Sequence, residues 1–145
     1  MSYCTVTDVE TLMQIKFSLN SRPNLKQVKE IIAAVAAELD GVVQAAGYTV
    51  PVTATAAKAV LTRENTLGAA CECWHAGYIS DTAPARAEYW CEQYAAFLNR
   101  LRKGEQQLPG LTPTSDLDPA FAIAPQVARD PYWGRGEDTL LNNED

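Results

Sequence analysis

Residues 25–46 read LKQVKEIIAAVAAELDGVVQAA, and the spacing of their apolar side chains decides the fold class. Val28, Ile31, Ile32, Val35, Leu39, Val42 and Val43 trace one stripe of a 3.6-residue helix, whereas a strand would need strict alternation. Asn24 precedes the run as an N-cap, and Gly47 follows it where a left-handed residue is wanted. A second face is smooth: Ala33, Ala37, Gly41 and Ala45 recur every four residues and carry no bulky side chain. Another helix can approach such a face at the short end of the usual ~8–10 Å separation. This helix therefore packs on two sides. Either both are filled from within the chain, or one meets a neighbouring subunit.

Upstream, Thr7-Asp8-Val9-Glu10 matches a capping box and predicts a first helix over 8–17, with Val9, Leu12 and Met13 inward and Phe17 closing it. Residues 18–23, SLNSRP, form a turn-rich connection. Downstream, Pro51 keeps the link 47–52 extended. A third helix follows over 54–76, with Thr53 as its cap and Val60, Leu61, Leu67, Cys71 and Trp74 as its apolar stripe. It also carries a line of small residues, Ala59, Thr62, Thr66, Ala69, Cys73 and Ala76. Two long consecutive helices with smooth faces predict a tight antiparallel hairpin. After the link 77–83, Pro84 suits the first turn of a fourth helix over 84–103. Ala87, Trp90, Cys91, Tyr94, Phe97, Leu98 and Leu101 form its apolar face. Arg100, Arg102 and Lys103 complement its dipole, and Gly104 stops it. The reading is all-α: a small four-helix bundle with two long antiparallel central helices over 1–104, and an extended C-terminal arm over 105–145.

The 145-residue chain can bury a core without disulfides or metal. Its longest run without a polar residue, Ile31–Ala37, falls far short of the roughly 20 residues a membrane span needs. With Asp8 and Glu10 near the start and no basic residue before Lys16, a secretory signal is not expected. A cytoplasmic setting would keep Cys4, Cys71, Cys73 and Cys91 as thiols. The net charge of −6 is unevenly placed: residues 1–104 hold ten acidic and ten basic side chains, and residues 105–145 hold eight acidic and two basic. A neutral body argues against a nucleic-acid-binding module, which needs a basic face. The acidic tail seeks a basic protein surface instead.

The tail has its own texture. Pro109, Pro113, Pro119, Pro125 and Pro131 break helical periodicity, while Phe121, Ile123, Val127, Tyr132 and Trp133 are interspersed. Asp118-Pro119-Ala120-Phe121 and Asp130-Pro131-Tyr132-Trp133 repeat one phrase, a rigid turn followed by aromatic anchors. Either these aromatics pack on their own body, or the segment orders when it docks on another chain.

Catalytic chemistry is not expected. Cys71 and His75, four apart on a helix, share a face, but Cys73 points roughly opposite, and a tetrahedral site from Cys71, Cys73, His75 and Cys91 is strained. The expectation is no metal and no cofactor, with the cysteines as core filler. His75 reads as an exposed helical histidine without a nucleophile to activate. Glu88 and Glu92 read as a solvated face beside Arg86. No Gly-rich phosphate loop precedes a helix.

Three phrases carry a resemblance. These are Tyr3-Cys4-Thr5-Val6-Thr7-Asp8-Val9-Glu10, residues 39–52 (LDGVVQAAGYTVPV), and Asn65-Thr66-Leu67-Gly68-Ala69-Ala70. In that order they resemble the first helix, the end of the second helix with its link, and the middle of the third helix of the head–tail adaptor (neck or connector) proteins of long-tailed bacteriophages. The likeness covers residues 3–104 and rests on packing motifs; the tail is not covered. It implies a structural virion protein assembled in the bacterial host cytoplasm. It further implies a ring, commonly of twelve copies, that sits under the portal protein of a filled capsid. Such a ring extends the DNA channel without sequence-specific binding and presents a surface to the next neck or tail-completion protein. On this reading Ala33, Ala37, Gly41, Ala45, Ala59, Thr66 and Ala69 face neighbouring subunits. Asp118, Pro119, Phe121, Ile123, Val127, Asp130, Pro131, Tyr132 and Trp133 form a docking arm. The alternative is a cytoplasmic helical binding module or regulator that forms a small oligomer.

Overall fold

A computed structural model of the chain describes residues 2–77 and 85–114. Among the described residues the fold is all-helical and without strands: α1 (Val6–Met13), α2 (Leu25–Ala45), α3 (Thr55–Gly77) and α4 (Ala85–Arg102). None of these helices is long and apolar enough to cross a membrane. Pro84 and most of the link before α4 lie outside the described residues.

α2 begins where its sequence says it should. Asn24 accepts from the Gln27 backbone N–H at 2.9 Å, and Gln27 Oε1 accepts from the Asn24 N–H at 2.9 Å, a reciprocal cap. Its stripe is buried as expected at Val28, Ile32, Val35, Leu39, Val42 and Val43. Gly47, at φ 100°, turns the chain out of the helix. α1 starts earlier than expected. Thr5, not Thr7, is the N-cap, in a capping box with Asp8. Glu10 is unavailable for the predicted box, because its carboxylate accepts from the Phe17 N–H at 2.8 Å and pairs with Lys16 at 3.6 Å. Gln14, at φ 61°, then ends α1, so Phe17 packs on the core from a loop.

Two apolar clusters define the packing. One joins Val35, Leu39 and Val43 of α2 to Ala57 and Leu61 at the start of α3 and to Phe97, Leu98 and Leu101 at the end of α4. The other joins Val28 and Ile32 of α2 to Leu67, Ala69, Ala70, Cys71 and Cys73 of α3, Ala87 and Trp90 of α4, and Val9 and Met13 of α1. The start of α2 thus lies beside the end of α3, so α2 and α3 run in opposite directions, as do α3 and α4. The crossing is close at Gly68, where an added Cβ would stand 2.7 Å from Val35 Cγ1 and 2.9 Å from Tyr94 Cε1. α3 touches all three other helices and forms the centre of the bundle.

Packing does not stop where α4 does. Gly104, at φ 77°, reverses the chain, and Leu108 returns to the first cluster at 1% exposure. The Leu108 N–H donates to the Tyr48 hydroxyl at 3.3 Å, and Leu111 packs beside it. The compact unit runs to Thr112, past the helical boundary expected at 104.

Candidate functional site

The smooth row of α2 lies on the outside of the molecule. Ala33, Ala37, Gly41 and Ala45 are all exposed, as is Ala34 beside them. A Cβ built on Gly41 meets nothing within 4 Å. The row is framed by exposed Lys26, Lys29 and Glu30 at one end and Gln44 at the other. A groove of about 300 Å³ opens next to it, lined by Ile31, Ala34, Val35, Glu38 and Glu72. Glu38 is held there by the Tyr94 hydroxyl, which donates to it at 2.6 Å. Burial and this carboxylate push the Tyr94 hydroxyl pKa strongly up, so it stays a donor.

The small-residue line of α3 behaves differently. Ala59 is exposed and Thr66 half-buried, but Ala69 has no exposed surface and packs in the second cluster. Ala69 therefore has nothing to offer a neighbouring subunit, contrary to the sequence expectation. The reason is the chain's own N-terminal segment. Tyr3 and Cys4 lie over α3, where Asn65 Oδ1 accepts from both of their N–H groups at 2.9 and 3.2 Å. Asn65 Nδ2 donates to the Ile32 carbonyl at 3.3 Å, and Thr62 Oγ1 donates to the Tyr3 carbonyl at 2.9 Å. The smooth side of α3 is thus covered from within at its middle, while Ala59 stays exposed. The expected arm residues Asp118, Pro119, Phe121, Ile123, Val127, Asp130, Pro131, Tyr132 and Trp133 lie outside the described residues.

Sulfur chemistry is where the structure departs most from expectation. Cys71 of α3 and Cys91 of α4 form a disulfide, with Cα atoms 5.1 Å apart, and are not free thiols. Cys4 and Cys73 remain thiols, both buried. Desolvation raises their pKa values to about 11 and about 12, so neither forms a thiolate at neutral pH. His75 sits beside the bridge: its Nδ1 is 3.0 Å from the Cys71 carbonyl and 3.8 Å from Cys71 Sγ. One donor atom from each of Cys71, His75 and Cys91 lies within 4.8 Å of the others. A cleft of about 250 Å³ opens at this point, lined by Trp74, His75, Ala87, Glu88, Cys91 and Glu92.

The sequence reading set aside a site from Cys71, Cys73, His75 and Cys91 because Cys73 points away, and it expected free thiols where Cys71 and Cys91 are bridged. Cys73 faces the core on the other side of α3. A signal for the right pair exists: Cys71 and Cys91 lie ten positions before and after residue 81, the middle of the link between α3 and α4. In an antiparallel pair such positions stand level. Asn65 gave no comparable signal, since a polar residue on a helix reads as a solvated position.

Comparison with protein-family models, with characterised proteins and with solved structures finds no match.

Proposed function

We propose that this chain is a structural virion subunit of the head–tail adaptor kind. Copies pack side by side into a ring that joins the portal of a filled capsid to the neck or tail and extends the DNA channel. The observation that carries the reading is the exposed row Ala33, Ala37, Gly41 and Ala45 on α2. The outward face of a solvated helix ordinarily carries charged and polar side chains. A row without side-chain bulk gains contact only when a second surface lies close against it. The groove at Ile31, Ala34 and Glu38 beside the row supplies relief for such a surface to fit. Two further features support the reading. One is the resemblance of residues 3–104 to the adaptor family. The other is the charge balance of that stretch, which suits a wall along which DNA slides without sticking.

The ring of twelve copies, the portal and the next neck protein follow from the resemblance. In this proposal the chain works through packing surfaces and not as an enzyme. Residues 105–145, with Phe121, Tyr132 and Trp133, dock on neighbouring chains or on the portal.

The test is Gly41→Leu. The space around Gly41 is open and leucine favours helix over glycine, so the isolated chain should keep its circular dichroism spectrum and a thermal midpoint no lower than the native one. Attachment to portal-bearing capsids, scored by electron microscopy, should be lost. Particles completed by the variant as well as by the native chain would remove the α2 row from any interface. Sedimentation of the native chain as a dimer or tetramer would favour the small-oligomer regulator instead.

A further inference from the structure

The disulfide joins two helices at a cleft that also holds an imidazole and two carboxylates, an assembly of groups that the ring reading does not use. We propose that, when Cys71 and Cys91 are reduced, they and His75 form a binding site for zinc-class cations, and that oxidation to the disulfide abolishes it.

The donor set is the argument. Cys71 and His75 are four apart on α3 and so project from one face of that helix. Cys91 comes from the facing helix, at a Cα–Cα distance of 5.1 Å from Cys71. Ligands around a tetrahedral zinc sit about 3–4 Å apart, given metal–ligand bonds of ~2.0–2.3 Å. The two Sγ atoms and one ring nitrogen of His75 already lie within 4.8 Å of one another, so the three side chains meet at one point between the helices. His75 is oriented for the task. Its Nδ1 rests 3.8 Å from Cys71 Sγ and 3.0 Å from the Cys71 carbonyl, so the ring already lies against the bridge. Glu88 and Glu92 line the same cleft, and with two thiolates they make it strongly attractive to a dication. Sulfur and imidazole donors select zinc over magnesium or calcium.

The switch balances chemically. A dithiol reductant transfers two electrons and two protons to the bridge. The Cys71–Cys91 bond breaks, and the reductant leaves as its own cyclic disulfide. Metal uptake then releases the two thiol protons to solvent. A small-molecule disulfide takes the two electrons back and, with two protons from solvent, leaves as two thiols; the bridge re-forms and the dication is released. Cys4 and Cys73 take no part, since both are buried away from the cleft.

The experiment uses the full chain, reduced with dithiothreitol, freed of reductant under argon and titrated with cobalt(II). One cobalt per chain is expected, with thiolate-to-metal charge transfer and the visible bands of a tetrahedral centre, and zinc should displace it. The oxidised chain should bind none. Cys71→Ser and Cys91→Ser should each weaken binding at least about a hundredfold, and His75→Ala about ten- to a hundredfold. Cys4→Ser and Cys73→Ser should leave it unchanged. Circular dichroism of a Cys71→Ala, Cys91→Ala double variant checks that the helices persist without the bridge. The proposal is overturned if the reduced, helical chain binds no cobalt at millimolar concentration. It is also overturned if His75→Ala binds as tightly as the native chain, if Cys73→Ser loses as much as Cys71→Ser, or if reduction itself unfolds the protein.

Discussion

Two neighbouring polar residues of α3, Glu64 and Asn65, are both buried, and they have opposite energetic characters. Asn65 uses its acceptor twice and its donor once, so it satisfies two backbone N–H groups of the N-terminal segment and one carbonyl of α2. Glu64 is not so well served. Its Oε2 meets Arg63 at 3.2 Å, but its Oε1 has no hydrogen-bond partner. Burial raises its pKa above the ordinary 4.5, with Arg63 and Arg100 offsetting only part of the effect. The folded chain therefore holds this proton more tightly than the unfolded chain. Below pH 4.5 the group is neutral in both states and costs nothing. Stability is lost as pH rises from there to the raised folded value, and the loss persists above it. Glu64→Gln should accordingly be more stable than the native chain at pH 7 and equal to it at pH 3.5. Urea denaturation at the two pH values measures this, and an equal difference at both would remove the burial argument. Neither residue's role is legible in the sequence. A Glu and an Asn inside a helix read as surface, and only tertiary packing makes them interior: the N-terminal segment on Asn65, and Tyr94 and Arg100 of α4 near Glu64.

Helices were legible in proportion to the size of the side chains that mark their stripes. α2, marked by Val, Ile and Leu, has its cap, its stripe and its terminal glycine where the spacing puts them. α1 was displaced by two residues because Thr5-x-x-Asp8 and Thr7-x-x-Glu10 are both capping boxes on paper, and the loop's demand on Glu10 decides between them. α3 mixes small residues for two purposes that composition cannot separate. Gly68 and Gly41 make the contrast measurable. Each lies inside a helix, where alanine is intrinsically better by about 1 kcal/mol. At Gly41 that preference acts alone. At Gly68 the new methyl runs into buried Val35 and into the Tyr94 ring, and overpacking of this kind costs ~1–3 kcal/mol. Gly68→Ala should therefore destabilise the fold by about 1 kcal/mol, read as a lower denaturation midpoint at unchanged slope. A stabilised variant would mean that Val35 and Tyr94 yield more easily than their packing implies.

For the molecule as a whole, the prolines and the charge set residues 105–145 apart in the sequence, but neither shows how far the packed body runs. The sequence placed the boundary at Gly104, where helical periodicity ends. The chain instead returns Leu108 to the core, a single apolar side chain between polar residues and Pro109 that no periodicity could flag. A chain ending at residue 104 should be less stable than one ending at residue 114 by about 2–3 kcal/mol, the worth of one fully buried leucine. Equal stability would mean that Leu108 is not needed to cover Tyr48. A deletion meant to probe only the tail therefore has to begin beyond Leu111. The Leu108–Tyr48 contact also fixes where a load enters the bundle. Tension from a partner gripping downstream residues would be met first at the turn between α2 and α3, the end of the molecule opposite Cys71 and Cys91. The sulfur cleft is in this sense mechanically sheltered, and its chemistry can change without loosening the tether.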